Sequence, residues 1–198
     1  MVLFVLIVLI SVAADQFTKL WVLNTLKPTL AYMDVWPGVF GFTYAENTGA
    51  AFSLFSDMRW VLTVFSALVA LAITVYVVWK KPNRLGTVSL ALIAGGAVGN
   101  IIDRVRFGFV VDFVNLEFMQ FAVFNVADAC INVGAAMMLL WAVLDEVRQY
   151  RQKKAEDAAK AAAQGEADAA DETPAEAAEE AAEEAAAEAP AEEVTQND

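Results

Sequence analysis

Carboxylates and side-chain amides are the groups in this chain whose types and spacing could do heavy chemistry. There is no histidine and only one cysteine, Cys130. That removes imidazole triads, HExxH zinc sites, disulfide frameworks and cysteine-only metal clusters. Five polar clusters interrupt otherwise oily sequence: Asp15 with Lys19; Glu46-Asn47-Thr48-Gly49; Asn100 with Asp103 and Arg104; Asp112; and Asn125 with Asp128. A charge near mid-bilayer costs roughly 2.5–3.5 kcal/mol, so each of these demands a partner or a purpose. Asn100, Asp103 and Arg104 are spaced i, i+3, i+4 and share one face of a helix; Asn125 and Asp128, at i, i+3, do likewise. Asp112 and Asp128, taken together, have the makings of a water-activating pair. Two carboxyls within a few ångströms share one proton. The ionised member takes a proton from water while the neutral one donates to the scissile carbonyl. That is amide hydrolysis without histidine, cysteine or metal. Intramembrane acids also relay protons, so a small proton-coupled transporter subunit using Asp128 is the alternative.

The elements that must position these residues follow from composition. The chain has 198 residues, is 59% hydrophobic, and still carries a formal net charge of −12. Position resolves the conflict: from residue 155 onward there are fifteen acids and one lysine, while residues 1–154 hold ten acids and twelve bases. The body is oily and almost neutral, and the acidic tail argues against nucleic acid. Four apolar stretches, about residues 1–26, 59–79, 85–105 and 121–146, are each long enough to cross ~30 Å of hydrocarbon as a helix. The stretch from Trp60 to Trp79 has no charge at all, and no polar stripe that a soluble bundle would need. The expected fold is an all-α membrane protein of four transmembrane helices. The first stretch lacks a basic n-region and is too long for a signal core, so it reads as a retained span.

Flanking charge sets the expected topology. Lys80, Lys81 and Arg84 lie between spans two and three, and Arg148, Arg151, Lys153 and Lys154 follow span four. The positive-inside rule then places both termini in the cytoplasm and residues 27–59 and 105–121 outside. The outer segment of about residues 30–55 has a turn signal at Trp36-Pro37-Gly38, then Phe40, Phe42 and Tyr44 at the two-residue period of a strand. A greasy sheet of this kind would lie on the membrane surface, and Ser56 or Asp57 would cap span two. Asp128 is expected about one and a half to two turns below the outer end of span four, ~10 Å deep, with Asp112 in the loop above. Residues 1–150 form the membrane unit. Residues 151–198 form a basic junction and an Ala/Glu-rich tail; Ala and Glu favour helix, but with nothing large to bury the tail reads as disordered.

Other features read as structural. Asp15 and Lys19, at i, i+4 with the acid first, suit an ion pair anchoring span one. Arg104 and Arg106 suit interface anchors or orienting partners. Gly95-Gly96-Ala97-Val98-Gly99 has small residues at the spacing of a close helix contact, and Cys130 sits among apolar neighbours as packing.

Four motifs in order carry a resemblance to a known family: Asp15-Gln16-Phe17-Thr18-Lys19; Glu46-Asn47-Thr48-Gly49-Ala50-Ala51-Phe52-Ser53; Gly99-Asn100-Ile101-Ile102-Asp103-Arg104 continued by Gly108-Phe109-Val110-Val111-Asp112-Phe113; and Phe124-Asn125-Val126-Ala127-Asp128. From about Val2 to Leu144 the chain resembles the lipoprotein signal peptidases (signal peptidase II). The resemblance implies an aspartic endopeptidase of the bacterial cytoplasmic membrane, cutting prolipoproteins just before the diacylglyceryl-modified cysteine. It implies Asp112 and Asp128 as the catalytic pair. Asn100, Asp103, Arg104 and Asn125 would orient that pair and the substrate, with Asn47 contacting substrate or closing the site and Asp15 as polar support. It also implies four helices with a small extracytoplasmic β-cradle. The expected partners are the lipidated precursor and membrane lipid, with the enzyme acting as a monomer and needing no cofactor or metal. The GxGD motif of presenilin-like and prepilin-like proteases is absent, since Gly108-Phe109-Val110-Val111-Asp112 stands at the comparable place. A scaffold in a membrane complex would account for the tail but not for the paired acids.

Overall fold

The computed structural model describes residues 1–49 and 59–187. Four long helices and three strands occur in the order α1 (Val2–Thr25), β1 (Met33–Trp36), β2 (Phe40–Asn47), α2 (Arg59–Lys80), α3 (Arg84–Arg106), β3 (Val110–Leu116) and α4 (Val126–Ala187). All four helices contain a stretch long and apolar enough to cross a membrane, so the protein is a multi-pass membrane protein. Ala50–Ser53 of the second motif, and the expected cap at Ser56 or Asp57, lie outside the described residues.

The burial pattern is that of a bundle in oil. Leu, Val, Phe and Trp side chains of α1 and α2 are widely exposed, among them Phe65, Leu68 and Leu71. The most enclosed spanning helix is α3, whose buried residues are largely Gly, Ala and Ser. A Cβ on Gly99 would lie 2.6 Å from Asp15 Oδ2 and 3.3 Å from Ala127 Cβ. Glycine there lets α1 and α4 both approach α3 closely, as the small-residue spacing predicts. Phe4, Val77, Leu90, Ala91 and Ala94 form an apolar cluster joining α1, α2 and α3. Asn83 caps α3, accepting a hydrogen bond from the Gly86 N–H at 3.0 Å, which is the usual reason a helix begins where it does.

The strands form one antiparallel sheet in the order β1-β2-β3. Phe42 and Tyr44 pack with Val22 and Leu26 at the end of α1 and with Val111 and Phe113 of β3. The aromatic strand read from the sequence is therefore the layer that seats the sheet on the bundle. Between Phe42 and Ala45 the register with β3 shifts, so that Ala45 stands opposite Asp112 and Asn47 opposite Val110. A bulge of this kind re-aims the side chains beyond it, Asn47 among them. At the far end of the sheet, Glu117 accepts hydrogen bonds from the Gly38 N–H and from the Tyr32 hydroxyl, tying the hairpin tip to the end of β3.

Two of the sequence-based placements change. Span four begins at Val126, not near Phe121, because Phe124 pairs with Val114 as a β-bridge and Asn125 turns the chain into the helix. Asp112 lies in a strand, not a loop. The chain divides into compact units of Met1–Val143 and Leu144–Asp198. In the second, the backbone is helical as far as Ala187, in line with the preference of Ala and Glu where no core is available to bury.

Candidate active site

Polar groups collect where the ends of α1, α3 and α4 meet the sheet. Asp15, Lys19, Asn100, Asp103, Asp112 and Asn125 are all buried, none more than 5% exposed. Burial on this scale is tolerable only if the charges are paired and the amides satisfied. Lys19 is the hub. Its Nζ lies 2.9 Å from Asp15 Oδ2 and 3.0 Å from Asp103 Oδ2, and donates to Asn100 Oδ1 at 3.0 Å. Gln16 Nε2 donates to Asp103 Oδ1 at 3.0 Å and to the Gly99 carbonyl at 3.2 Å. The i, i+4 ion pair expected within span one is thus present, but it is shared with α3.

This core grips the two elements that carry the candidate acids. Asp103 Oδ2 accepts the Val111 N–H at 3.0 Å, fixing the β3 backbone one residue before Asp112. Asp15 Oδ1 accepts the Ala127 N–H at 2.9 Å, so an α1 side chain satisfies one of the orphan donors at the start of α4. Asn125 supplies the next bond. Its Oδ1 accepts the Asp128 N–H at 2.9 Å, while Asp128 Oδ2 faces the Asn125 N–H at 3.4 Å. This is a reciprocal capping arrangement with an acid at its third position. Asp128 is therefore in the first turn of α4, not ~10 Å down it as 1.5 Å per residue from Phe121 implied. Asn125 is likewise the cap of the helix, not a residue on its face.

Three amides join the two acids. Asn125 Nδ2 donates to Asp112 Oδ1 at 2.6 Å and faces Asn100 Oδ1 at 3.2 Å. Asn100 Nδ2 donates to Asp128 Oδ1 at 2.8 Å. Asn47 Nδ2 donates to Asp112 Oδ2 at 2.9 Å, and its own Oδ1 accepts the Gly49 N–H at 2.9 Å. Each candidate carboxylate thus has both oxygens engaged by groups that are themselves held in place. Burial, reinforced by the negative charge of Asp128, pushes the Asp112 carboxyl from its ordinary 3.8 up to about 6, against the opposing pull of Asn47, Asn125 and Lys19. Arg104 is within coulombic reach of Asp128, Asp112 and Asp103; among the described residues no carboxylate lies within 4.0 Å of it. A cavity of about 310 Å³ opens beside Asp128, lined by Asn47, Asp128, the Phe121–Phe124 segment, Ile131 and Asn132.

All eight residues singled out from the sequence thus fall in or around one cluster: Asp15, Asn47, Asn100, Asp103, Arg104, Asp112, Asn125 and Asp128. Sequence reasoning missed how central Lys19 and Gln16 are to it. A lysine in an apolar span should have signalled more than a local ion pair, because one carboxylate leaves two of its three donors unused. It also passed over Asn132, whose signal is a polar amide four residues beyond Asp128 in an oily helix.

A family model described as signal peptidase (SPase) II matches residues 7–144. A lipoprotein signal peptidase of Streptococcus pyogenes serotype M2 is 38% identical over 145 residues, covering 70% of this chain and 91% of the relative. The lipoprotein signal peptidase of serotype M1 matches with the same identity and coverage. Among solved structures, one of a bacterial membrane enzyme at 2.3 Å resolution superposes with a TM-score of 0.66 at 28% identity, covering 73% of this chain and 88% of that one. A second bacterial membrane enzyme, at 1.9 Å resolution, gives a TM-score of 0.65 at 28% identity over 69% of this chain and 90% of that one.

Proposed function

We propose, on the premise that the chain belongs to the signal peptidase II family, that it is an aspartic endopeptidase removing signal peptides from diacylglyceryl-modified prolipoproteins. The cut falls just before the lipidated cysteine, and Asp112 and Asp128 do the chemistry. The observation that carries this reading is the interlocked set Asn47, Asn100 and Asn125, which grips both acids, with Asp128 and Asn47 lining an open cavity.

The mechanism rests on sharing one proton between two acids. The ionised member takes a proton from a water molecule between them, and the resulting hydroxide attacks the scissile carbonyl carbon. The protonated member gives its proton to the carbonyl oxygen, so the tetrahedral intermediate is a neutral gem-diol. Collapse breaks the C–N bond: the acid that took the water's proton delivers it to the leaving nitrogen, and the other acid recovers a proton from a diol hydroxyl. The raised affinity of Asp112 for its proton supports it as the member that enters protonated. Arg104, close enough to feel both acids, favours the net negative charge of the pair.

Substrate and site meet at a suitable depth. A signal helix with a lipidated cysteine at its outer end presents its scissile bond near the membrane surface, where the sheet and the start of α4 lie if residues 27–59 and 105–121 are extracytoplasmic. Both termini are then cytoplasmic, in agreement with the basic clusters at residues 80–84 and 148–154 and the positive-inside rule. The acyl chains remain in lipid, each buried methylene contributing ~0.8 kcal/mol of anchoring.

The test compares a diacylglyceryl-modified precursor with its unlipidated form, using the purified parental protein and Asp128→Asn. Cleavage confined to the lipidated precursor and lost in the variant is the expected result. Equal cleavage of both precursors removes the substrate assignment, and a fully active Asp128→Asn removes the dyad.

A further inference from the structure

The cavity beside Asp128 continues along α4 to a second polar group. Asn132 is four residues after Asp128, so both side chains project from the same face of α4, about 6 Å apart along its axis. Both line the cavity, together with Asn47 and Ile131. Unlike every other amide around the site, the Asn132 side chain makes no hydrogen bond among the described residues, and the residue is exposed. Such an amide presents two donors and two acceptor sites to whatever occupies the cavity. It is not placed to pair with the rest of the network: Asp128 is already held by Asn100 and Asn125. Its position answers a need of the substrate instead.

A peptide bond inside a helix is not open to attack, so the residues around the scissile bond must be extended. Unwinding them strips their backbone N–H and C=O groups of helical partners, and within an apolar environment each orphan costs several kcal/mol. A carboxamide offers one donor edge and one acceptor edge in a plane, which matches the N–H and C=O of an extended backbone.

We propose that Asn132 is a substrate-binding residue that hydrogen-bonds the unwound main chain of the signal peptide on the membrane side of the scissile bond. This deepens the peptidase reading and rests on it. Since the partner is backbone, the contact gives affinity and register for any signal sequence without selecting its side chains. Since the same contact forms in ground and transition states, its loss raises KM and leaves kcat nearly unchanged.

The variants are Asn132→Leu, similar in size but unable to hydrogen-bond, and Asn132→Thr, which restores one polar group. Both are assayed on a lipidated precursor peptide in detergent, with thermal unfolding measured in parallel. Replacing an unpaired amide by leucine in a spanning helix leaves folding intact, so unfolding midpoints should match or exceed the parent. Asn132→Leu is expected to raise KM about tenfold or more, the equivalent of the hydrogen bonds left unmade, and Asn132→Thr to recover part of the loss. A second precursor, in which backbone esters replace the amides just before the scissile bond, separates contact from bulk. It should bind the parent more weakly but show no further loss with Asn132→Leu. An unchanged KM in Asn132→Leu while the parent cleaves normally overturns this contact and leaves the peptidase reading standing. So does a full ester penalty in that variant. A parental protein that cleaves neither precursor removes the peptidase reading itself.

Discussion

Asp112→Asn separates catalysis from stability in one substitution. The carboxyl is buried and its proton is held up to about 6, compared with an ordinary 3.8. The folded chain therefore binds this proton more tightly than the unfolded chain does. Its contribution to stability is fully present below about 3.8 and is lost as the pH rises to about 6, a swing of about 3 kcal/mol. Asparagine never ionises and escapes that loss. It has a cost of its own, however: Asn47 and Asn125 both donate to Asp112, and an amide has one oxygen to accept with. One donor is left facing an NH₂, at about 1–3 kcal/mol, independent of pH. Asp112→Asn should therefore be the less stable protein at pH 4, and the gap should close by about 2–3 kcal/mol by pH 8. Cleavage should fall at least about 10²-fold at every pH, the scale on which general acid–base groups contribute. Reversible unfolding in detergent from pH 4 to pH 8, with cleavage of a lipidated precursor by the same preparations, measures both. A stability gap that does not change with pH would refute the burial argument, and parental cleavage would refute the dyad.

Three further outcomes rest on the same geometry. The parental kcat/KM should lose activity above an apparent pKa near the value of about 6 held by Asp112, because deprotonation removes the shared proton; a profile level from pH 5 to pH 8 contradicts this. Lys19→Met leaves Asp15 and Asp103 buried without their cation and should destabilise the protein by about 3–5 kcal/mol, read from denaturant unfolding; a parental midpoint would show that the hub is dispensable. Asn125→Ala removes the cap of α4 and one grip on Asp112, costing about 1–2 kcal/mol of stability and lowering kcat, which single-turnover cleavage would detect.

How much of this was legible in the sequence differs from element to element. The four helices were readable because span length is set by bilayer thickness and charge is excluded from oil; α3 deviates by a residue at each end. Asn100, Asp103 and Arg104 were grouped correctly because helical periodicity fixes their common face. The start of α4 was misplaced because Phe121–Phe124 is as apolar as any helix, and only its pairing with Val114, a long-range contact that leaves no local trace, keeps it extended. The bulge between Phe42 and Ala45 was equally invisible, yet it is what turns Asn47 toward Asp112. The family resemblance proposes roles for residues that periodicity alone could place but not interpret.

The bond from Asp15 to the Ala127 N–H joins the first transmembrane helix to the beginning of the last. During synthesis the opening span is inserted long before the closing one emerges from the ribosome. Until both are in the membrane, one of the first backbone donors of the final helix lacks the partner it has in the folded chain. If Asp112 and Asp128 are the acids, cleavage becomes possible only once β2, α3, β3 and the start of α4 are all in place, because the two carboxylates and the amides that hold them come from all of these elements.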